Sequence, residues 1–96
     1  MKENAFQAKL IRDLKRIFPD AVILKNDSSY MQGIPDLTIF NGDKWAMLEC
    51  KKGPKDSHQP NQDAYVERLN RMSYAAFVYP ENREEVMKEL TVIFSE

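Results

Sequence analysis

The chain has 96 residues, a formal net charge of −1 at pH 7 and one cysteine, so we expect one domain over residues 1–96 with a single core. The balanced charge excludes a protein whose whole surface is basic and attracts polyanions. Contacts with nucleic acid must therefore depend on local basic patches. The single cysteine excludes an internal disulfide, and the absence of a membrane-length apolar run or a signal-peptide pattern favours a protein of the cytoplasm.

The first half of the chain predicts one helix and three strands. Apolar residues at helical spacing indicate a helix over about residues 3–18, which Pro19 ends. The run AVILK predicts a short strand, and the polar residues 26–33 predict a loop. Two further apolar runs flank Asn41 and Gly42, and this pair is a strong signal for a hairpin turn.

The second half predicts helix, strand and helix. After the turn-rich segment KKGPKDSHQP, an amphipathic helix is predicted over about residues 61–71, and the run YAAFVY predicts a strand that Pro80 ends. A last helix fits ENREEVMKEL, and TVIF is a candidate closing strand. The order αβββαβα, with or without a final strand, predicts a compact α/β sandwich.

Charged residues stand where the two hairpin strands should contribute to the core: Asp36 at the start of the first, and Glu49 and Lys51 at the end of the second. If Phe40 pairs with Trp45 across a four-residue turn, antiparallel counting places Asp36 opposite Glu49. A two-residue turn makes them diagonal on one face, which Lys51 shares. A three-residue loop without a bulge would place the two carboxylates on opposite faces.

Two carboxylates at the cross-strand spacing of about 5 Å repel each other and favour a hard cation such as Mg²⁺. The backbone carbonyl of Cys50 can supply a further oxygen ligand, and Lys51 can orient a nucleophile or stabilise negative charge on phosphorus. The pattern predicts metal-dependent phosphodiester hydrolysis without a nucleotide cofactor. The alternative is that Asp36 is a turn residue after proline, and that Glu49 and Lys51 form an exposed edge-strand pair.

Two polar residues occupy helix positions where apolar ones are expected. Glu3 lies on the apolar face of the first helix in line with Leu10 and Leu14, and Gln62 opens the second helix on the face of Tyr65. Both are predicted to point at the sheet. The alternatives are a first-turn acid favoured by the helix dipole for Glu3, and a helix-start residue bonded to backbone for Gln62.

The segments PD at residues 35–36 and ECK at residues 49–51 resemble the PD-(D/E)XK nuclease motif, and their surroundings resemble its VRR-NUC branch, including small stand-alone phage and prophage members. Nearly the whole chain is covered, because family features map in order onto Glu3, Gln7, GIPDL at residues 33–37, Glu49 with Lys51, and Gln62. One departure is NRMSYAA, where the family often has glycine, so Asn70 or Ser73 would make that turn.

The resemblance implies a restriction-endonuclease-like core of αβββαβ order, with a central mixed sheet flanked by helices and an extra C-terminal helix. It implies that residues 1–96 form one VRR-NUC-like domain with catalytic residues Glu3, Asp36, Glu49, Lys51 and Gln62. The cofactor would be Mg²⁺ or Mn²⁺, with Asp36, Glu49 and the Cys50 carbonyl as ligands.

The implied activity is that of a DNA endonuclease acting as a homodimer on branched DNA such as Holliday junctions, in the host cytoplasm if phage-encoded. A two-fold dimer would place two active sites at related strands of a junction. The candidate interface comprises exposed parts of TVIF, Trp45 or the last helix. Two alternatives remain open: a non-catalytic DNA-binding or assembly module that retains the fold, and a restriction-like enzyme with sequence specificity.

A nuclease that selects DNA by shape should contact mainly phosphates. The candidate contacts lie in the loop after the ECK segment and in the segment before GIPD, and they are Lys25, Ser29, Tyr30, Lys52, Lys55 and His58. The alternative for these residues is ordinary solvated surface.

Overall fold

The computed structural model describes residues 3–95, apart from the side chain of Glu3. Its elements in chain order are α1 (Glu3–Ile17), β1 (Val22–Lys25), β2 (Leu37–Asn41), β3 (Lys44–Cys50), α2 (Pro60–Met72), β4 (Ala75–Val78) and α3 (Arg83–Ser95). The predicted α/β fold is confirmed, with its αβββαβ order, its mixed sheet flanked by helices and its extra C-terminal helix.

The four strands form one mixed sheet in the order β1-β2-β3-β4. Neighbours β1, β2 and β3 are antiparallel, whereas β3 and β4 are parallel and are joined by the crossover helix α2. Phe40 pairs with Trp45, which is the register that places Asp36 opposite Glu49, and the last pair before the turn is Asn41 with Lys44. Gly42 has a φ of 66°, a left-handed conformation that glycine adopts without strain.

Side-chain alternation gives the sheet two different faces. One face packs against α1 and α3, and the fully buried side chains on that side include Leu10, Leu14, Ile39, Leu48, Val78 and Leu90. The other face carries α2, whose Val66 and Leu69 pack with Trp45, Met47 and Phe77. Each fully buried aliphatic side chain contributes about 1.5–3 kcal/mol, so burial on the side of α1 and α3 holds the sheet most strongly.

The prediction that TVIF forms a closing strand is wrong, because α3 continues through this segment to Ser95. The hydroxyl of Thr91 donates a hydrogen bond to the carbonyl of Met87 at 2.8 Å, and Ile93 and Phe94 pack against the core. The ring of Phe94 meets that of Phe18 edge-on, with the centroids 5.2 Å apart. Packing at helical spacing therefore outweighs the strand preference of the β-branched residues in this run.

The turn after α2 uses both residues proposed for it. The Ser73 N–H donates to the Leu69 carbonyl at 3.0 Å, and the Ala75 N–H donates to Asn70 Oδ1 at 3.1 Å. Within residues 3–95, no helix is long and apolar enough to cross a membrane.

Candidate active site

The hairpin register brings the predicted carboxylates together on the face that carries α2. The Asp36 N–H donates to Glu49 Oε1 at 3.1 Å, and the Cys50 N–H donates to Asp36 Oδ2 at 2.9 Å. Glu49 is only 3% exposed and Lys51 only 6% exposed, so neither is an edge-strand surface residue. The alternative of an exposed Glu49–Lys51 pair is therefore wrong.

Gln62, in the first turn of α2, joins Glu49 to Lys51. Its Nε2 donates to Glu49 Oε2 at 2.8 Å, while its Oε1 accepts from Lys51 Nζ at 2.9 Å and from the Gln59 N–H at 3.0 Å. Lys51 Nζ also lies 3.7 Å from Glu49 Oε2. The bond from Gln59 closes the start of the helix, so the alternative role of Gln62 as a helix-start residue coexists with its place in the site.

The loop between β3 and α2 supplies two groups that the sequence analysis did not select. The Ser57 carbonyl accepts a hydrogen bond from Lys51 Nζ at 3.0 Å. Asp56 accepts from the Lys52 N–H at 3.2 Å and from the Ser57 N–H at 3.0 Å, and these bonds, that from Lys52 above all, hold the pKa of Asp56 below its usual range. The only sequence signal was an aspartate in a turn-rich segment, which predicts a loop and no particular contact.

The side chain of Asn26 fixes the chain immediately before Asp36. Its Nδ2 donates to the Pro35 carbonyl at 2.9 Å and to Thr38 Oγ1 at 2.8 Å, and its own N–H donates to the Asp36 carbonyl at 2.8 Å. This bonding between β1 and the start of β2 orients Asp36 towards Glu49. Sequence reasoning assigned residue 26 only to a loop.

Burial raises the pKa of Asp36, although the Cys50 N–H, the Lys51 charge and a hydrogen bond with Glu49 act in the opposite direction. Desolvation of the Asp36 carboxylate outweighs these favourable contacts. The carboxylate pair therefore favours a proton or a cation between its oxygens.

We call the cavity at this point the acidic cleft. Its volume is about 330 Å³. The lining residues with functional groups relevant to catalysis are Asp36, Glu49, Lys51, Asp56 and Gln62. Lys52 lies on its wall as well. A cavity of this size and polarity can hold a hydrated ion together with part of a substrate.

The donor set fits Mg²⁺ or Mn²⁺. Asp36 and Glu49 offer carboxylate oxygens, and the Cys50 carbonyl projects to the same side of β3 as the Cys50 N–H, which bonds to Asp36. Within the described part of the chain, no group of three or more His, Cys, Asp or Glu side chains converges on a metal position. Mg²⁺ is commonly bound through one or two carboxylates and keeps several waters, so two carboxylates are sufficient.

The remaining predicted residues are spread around this site. Ser29 lines a neighbouring polar cleft of about 480 Å³, while Lys25, Tyr30, Lys52 and Lys55 are exposed. The His58 ring stacks on Phe77 with a centroid distance of 4.0 Å, and its Nδ1 lies 2.8 Å from Asp63 Oδ1. These contacts anchor the loop beside the acidic cleft. The predicted role of Glu3 concerns a side chain outside the described residues.

Gly33 allows the loop before Asp36 to pass close to α2, and we expect Gly33→Ala to destabilise the protein. Its φ is 90°, and an added Cβ would lie 2.6 Å from Asn61 Cγ. Gly42→Ala is the matched control, because Gly42 also has positive φ, at 66°, but its Cβ would meet no atom within 4 Å. In urea unfolding, we expect Gly42→Ala to cost about 1–2 kcal/mol and Gly33→Ala clearly more. Equal costs would contradict the close approach to Asn61.

No protein-family model and no curated protein sequence matches the chain, so the VRR-NUC resemblance stays a prediction. Among solved structures, one similar chain is Archaeoglobus fulgidus Hjc, a Holliday junction resolvase from an archaeal hyperthermophile, whose structure was determined at 1.6 Å resolution. The match covers 75% of this chain and 67% of that chain, with 17% sequence identity and a TM-score of 0.46. A likeness this distant carries no argument about the activity of the present chain.

Proposed function

We propose that this protein is a cytoplasmic, divalent-metal-dependent endonuclease that hydrolyses DNA phosphodiesters. The observation that carries the proposal is the buried Lys51, whose ammonium group lies between the Glu49 carboxylate and the Gln62 amide. Asp36, whose pKa is raised, is the second carboxylate of this site. Perturbed and desolvated titratable groups that converge in a cleft are typical of active sites. The acidic cleft is open, so a phosphodiester can reach them.

Each residue has a chemical role in this proposal. Asp36, Glu49 and the Cys50 carbonyl would hold Mg²⁺ or Mn²⁺, which polarises the phosphodiester and lowers the pKa of a water when bound. Lys51 keeps its ammonium group fixed through Gln62 and the Ser57 carbonyl, and it stabilises the negative charge that develops on the phosphoryl oxygens. Gln62 is a positioning residue for both Glu49 and Lys51. A water oxygen bonds to phosphorus and gives up a proton to solvent, while the bond from phosphorus to the leaving sugar oxygen breaks and that oxygen takes up a proton from solvent.

We further propose that the enzyme acts as a homodimer on branched DNA. Exposed apolar residues near the β1 edge of the sheet support self-association. Val22, Leu24 and Phe40 are exposed, Val22 is paired with Phe40, and all three lie on the same face of the sheet. Val92 on α3 is also exposed, whereas Trp45 is half-buried within the layer under α2. A two-fold dimer would present two acidic clefts to symmetry-related strands of a junction.

The test is cleavage of matched four-way junction, flap, nicked and linear duplex DNA in the presence of Mg²⁺, Mn²⁺, Ca²⁺ or EDTA. We expect cleavage of a branched substrate with Mg²⁺ or Mn²⁺ and none with EDTA, because a metal must neutralise the two carboxylates beside the phosphate. Junctions of varied sequence serve as the control, and similar rates on all of them would exclude a sequence-specific restriction enzyme. A folded protein that binds DNA regardless of metal and never cuts would instead support the non-catalytic module.

A further inference from the structure

A second cleft opens at the same end of the sheet, on the side that carries α1 and α3. Its volume is about 410 Å³. Its apolar lining consists of the exposed Pro80 with the almost fully buried Phe6 and Leu10 behind it, and its cationic lining consists of Lys9, Lys52 and Arg83. We call this cavity the basic cleft. Its volume and its mixture of apolar and charged groups are typical of sites for small organic ligands.

Cations outnumber anions around the basic cleft. Asp13 accepts hydrogen bonds from Lys9 Nζ at 3.1 Å and from the Arg83 guanidinium, and Glu81 adds a second carboxylate at the wall. Arg16 also lies 3.5 Å from Asp13, so with Lys52 four cations accompany two carboxylates, which leaves two positive charges. Arg83 Nε is buried and has no hydrogen-bond partner in the described part of the chain. These charges favour an anionic ligand.

Lys52 connects the two clefts, because this residue lines both of them. The Lys51 N–H donates to the Val78 carbonyl at 2.8 Å, so the parallel strands β3 and β4 end side by side. The segment after β3 borders the acidic cleft, and the segment after β4 borders the basic cleft. A ligand with regularly spaced anionic groups and flat apolar rings can therefore occupy both cavities at once.

We propose that the basic cleft binds one unpaired nucleotide of the DNA strand whose phosphodiester lies in the acidic cleft. The base packs on the exposed ring of Pro80, and the nucleotide's phosphate is bound by Lys9, Lys52 and Arg83. An unpaired nucleotide fits because its base can leave the stack and expose its apolar face, which a paired base cannot do without unstacking. This site rests on the proposed function for its biological meaning, but binding to it requires no cleavage.

The test is nuclear magnetic resonance titration of the ¹⁵N-labelled protein with short single-stranded oligothymidylate in EDTA, compared with inorganic phosphate. We expect oligothymidylate to shift the amide signals of Leu10, Lys52, Glu81 and Arg83, and inorganic phosphate to bind far more weakly because it lacks a base. Lys9→Glu should weaken oligothymidylate binding about tenfold more than Lys15→Glu, which makes the same charge change on an exposed part of α1 outside the basic cleft.

Three results would overturn the nucleotide site: absence of these amide shifts, equal binding of inorganic phosphate, or equal effects of the two α1 variants. Thermal melting of both variants checks that α1 remains folded, since each changes an exposed side chain. Failure of the proposed nuclease function would look different. The oligonucleotide would still bind in the basic cleft, while DNA would remain uncut with every metal.

Discussion

Lys51→Met is expected to lower the single-turnover rate of metal-dependent DNA cleavage by about 10²–10³-fold, the usual effect of removing one fixed donor that stabilises charge in the transition state. The side chain of Lys51 is almost fully buried, and its ammonium group is held at 3.0 Å by the Ser57 carbonyl and at 2.9 Å by Gln62. DNA affinity measured in Ca²⁺ should change little, because a buried charge contributes less to binding than exposed lysines do. A loss confined to cleavage separates this role from general attraction of DNA.

The same substitution also removes the ammonium group that lies 3.7 Å from Glu49 Oε2, so it should reduce stability. Leaving one member of a buried pair uncompensated costs about 3–5 kcal/mol. The double variant Lys51→Met with Glu49→Gln removes both charges, and we expect it to recover much of the free energy of unfolding without recovering cleavage. This double variant keeps the experiment interpretable if the single variant folds poorly.

Lys88→Met is the matched control, because Lys88 is exposed on α3 away from both clefts. It should leave cleavage and stability essentially unchanged. If folded Lys51→Met cuts DNA as fast as Lys88→Met does, Lys51 serves only to balance the charge of Glu49, and its proposed catalytic role is wrong.

Local rules were sufficient to predict the hairpin and therefore the centre of the site. Side chains alternate with a period of two, and the Asn-Gly pair predicts where the chain reverses. The sequence left the turn length open, and the structure selects the register in which Phe40 pairs with Trp45. Once that register is known, Asp36 must face Glu49. Gln62 could be selected because a polar residue on the apolar stripe of a helix is unusual.

The residues that support the site could not be predicted in the same way. Asn26 and Ser57 act through hydrogen bonds whose partners depend on the path of a loop, and the Ser57 contact uses a backbone carbonyl, which any residue type can supply. The final segment of α3 was predicted as a strand from its β-branched residues, but tertiary packing of Ile93 and Phe94 decides its structure. Strand propensity is a weak guide for a short segment that can bury its apolar side chains either as a strand or as a helix.

Asp36→Asn is expected to have opposite effects on activity and on stability. Loss of a metal-binding carboxylate should lower the cleavage rate about 10³-fold, since metal ions supply several kcal/mol of transition-state stabilisation. In EDTA at neutral pH, however, the variant should be more stable than wild type, because burial beside Glu49 raises the pKa of Asp36 and makes its charged form unfavourable. The asparagine Oδ1 can still accept from the Cys50 N–H.

The pH dependence of the free energy of unfolding tests the stability effect predicted for Asp36→Asn, and its sign follows from the raised pKa. Because the pKa of Asp36 is higher in the folded than in the unfolded protein, the folded state binds more protons between the two values. Its contribution to the free energy of unfolding therefore decreases as pH rises from 3.8 through the raised pKa, and Asp36→Asn should remove this decrease. Urea midpoints measured across this pH range in EDTA are the readout.

Asp13→Asn is the matched control with the opposite sign. A hydrogen bond from Lys9, assisted by Arg83, lowers the pKa of Asp13 to about 2, so its stabilising contribution is present above pH 3.8 and is lost as pH falls towards 2. Asp13→Asn should thus destabilise the protein at neutral pH, where Asp36→Asn stabilises it.

Added Mg²⁺ should then raise the stability of wild type and of Asp13→Asn but not that of Asp36→Asn, because only the latter lacks a metal ligand. Equal stabilisation of Asp36→Asn by Mg²⁺ would place the metal elsewhere and separate the carboxylate pair from the chemistry proposed for it.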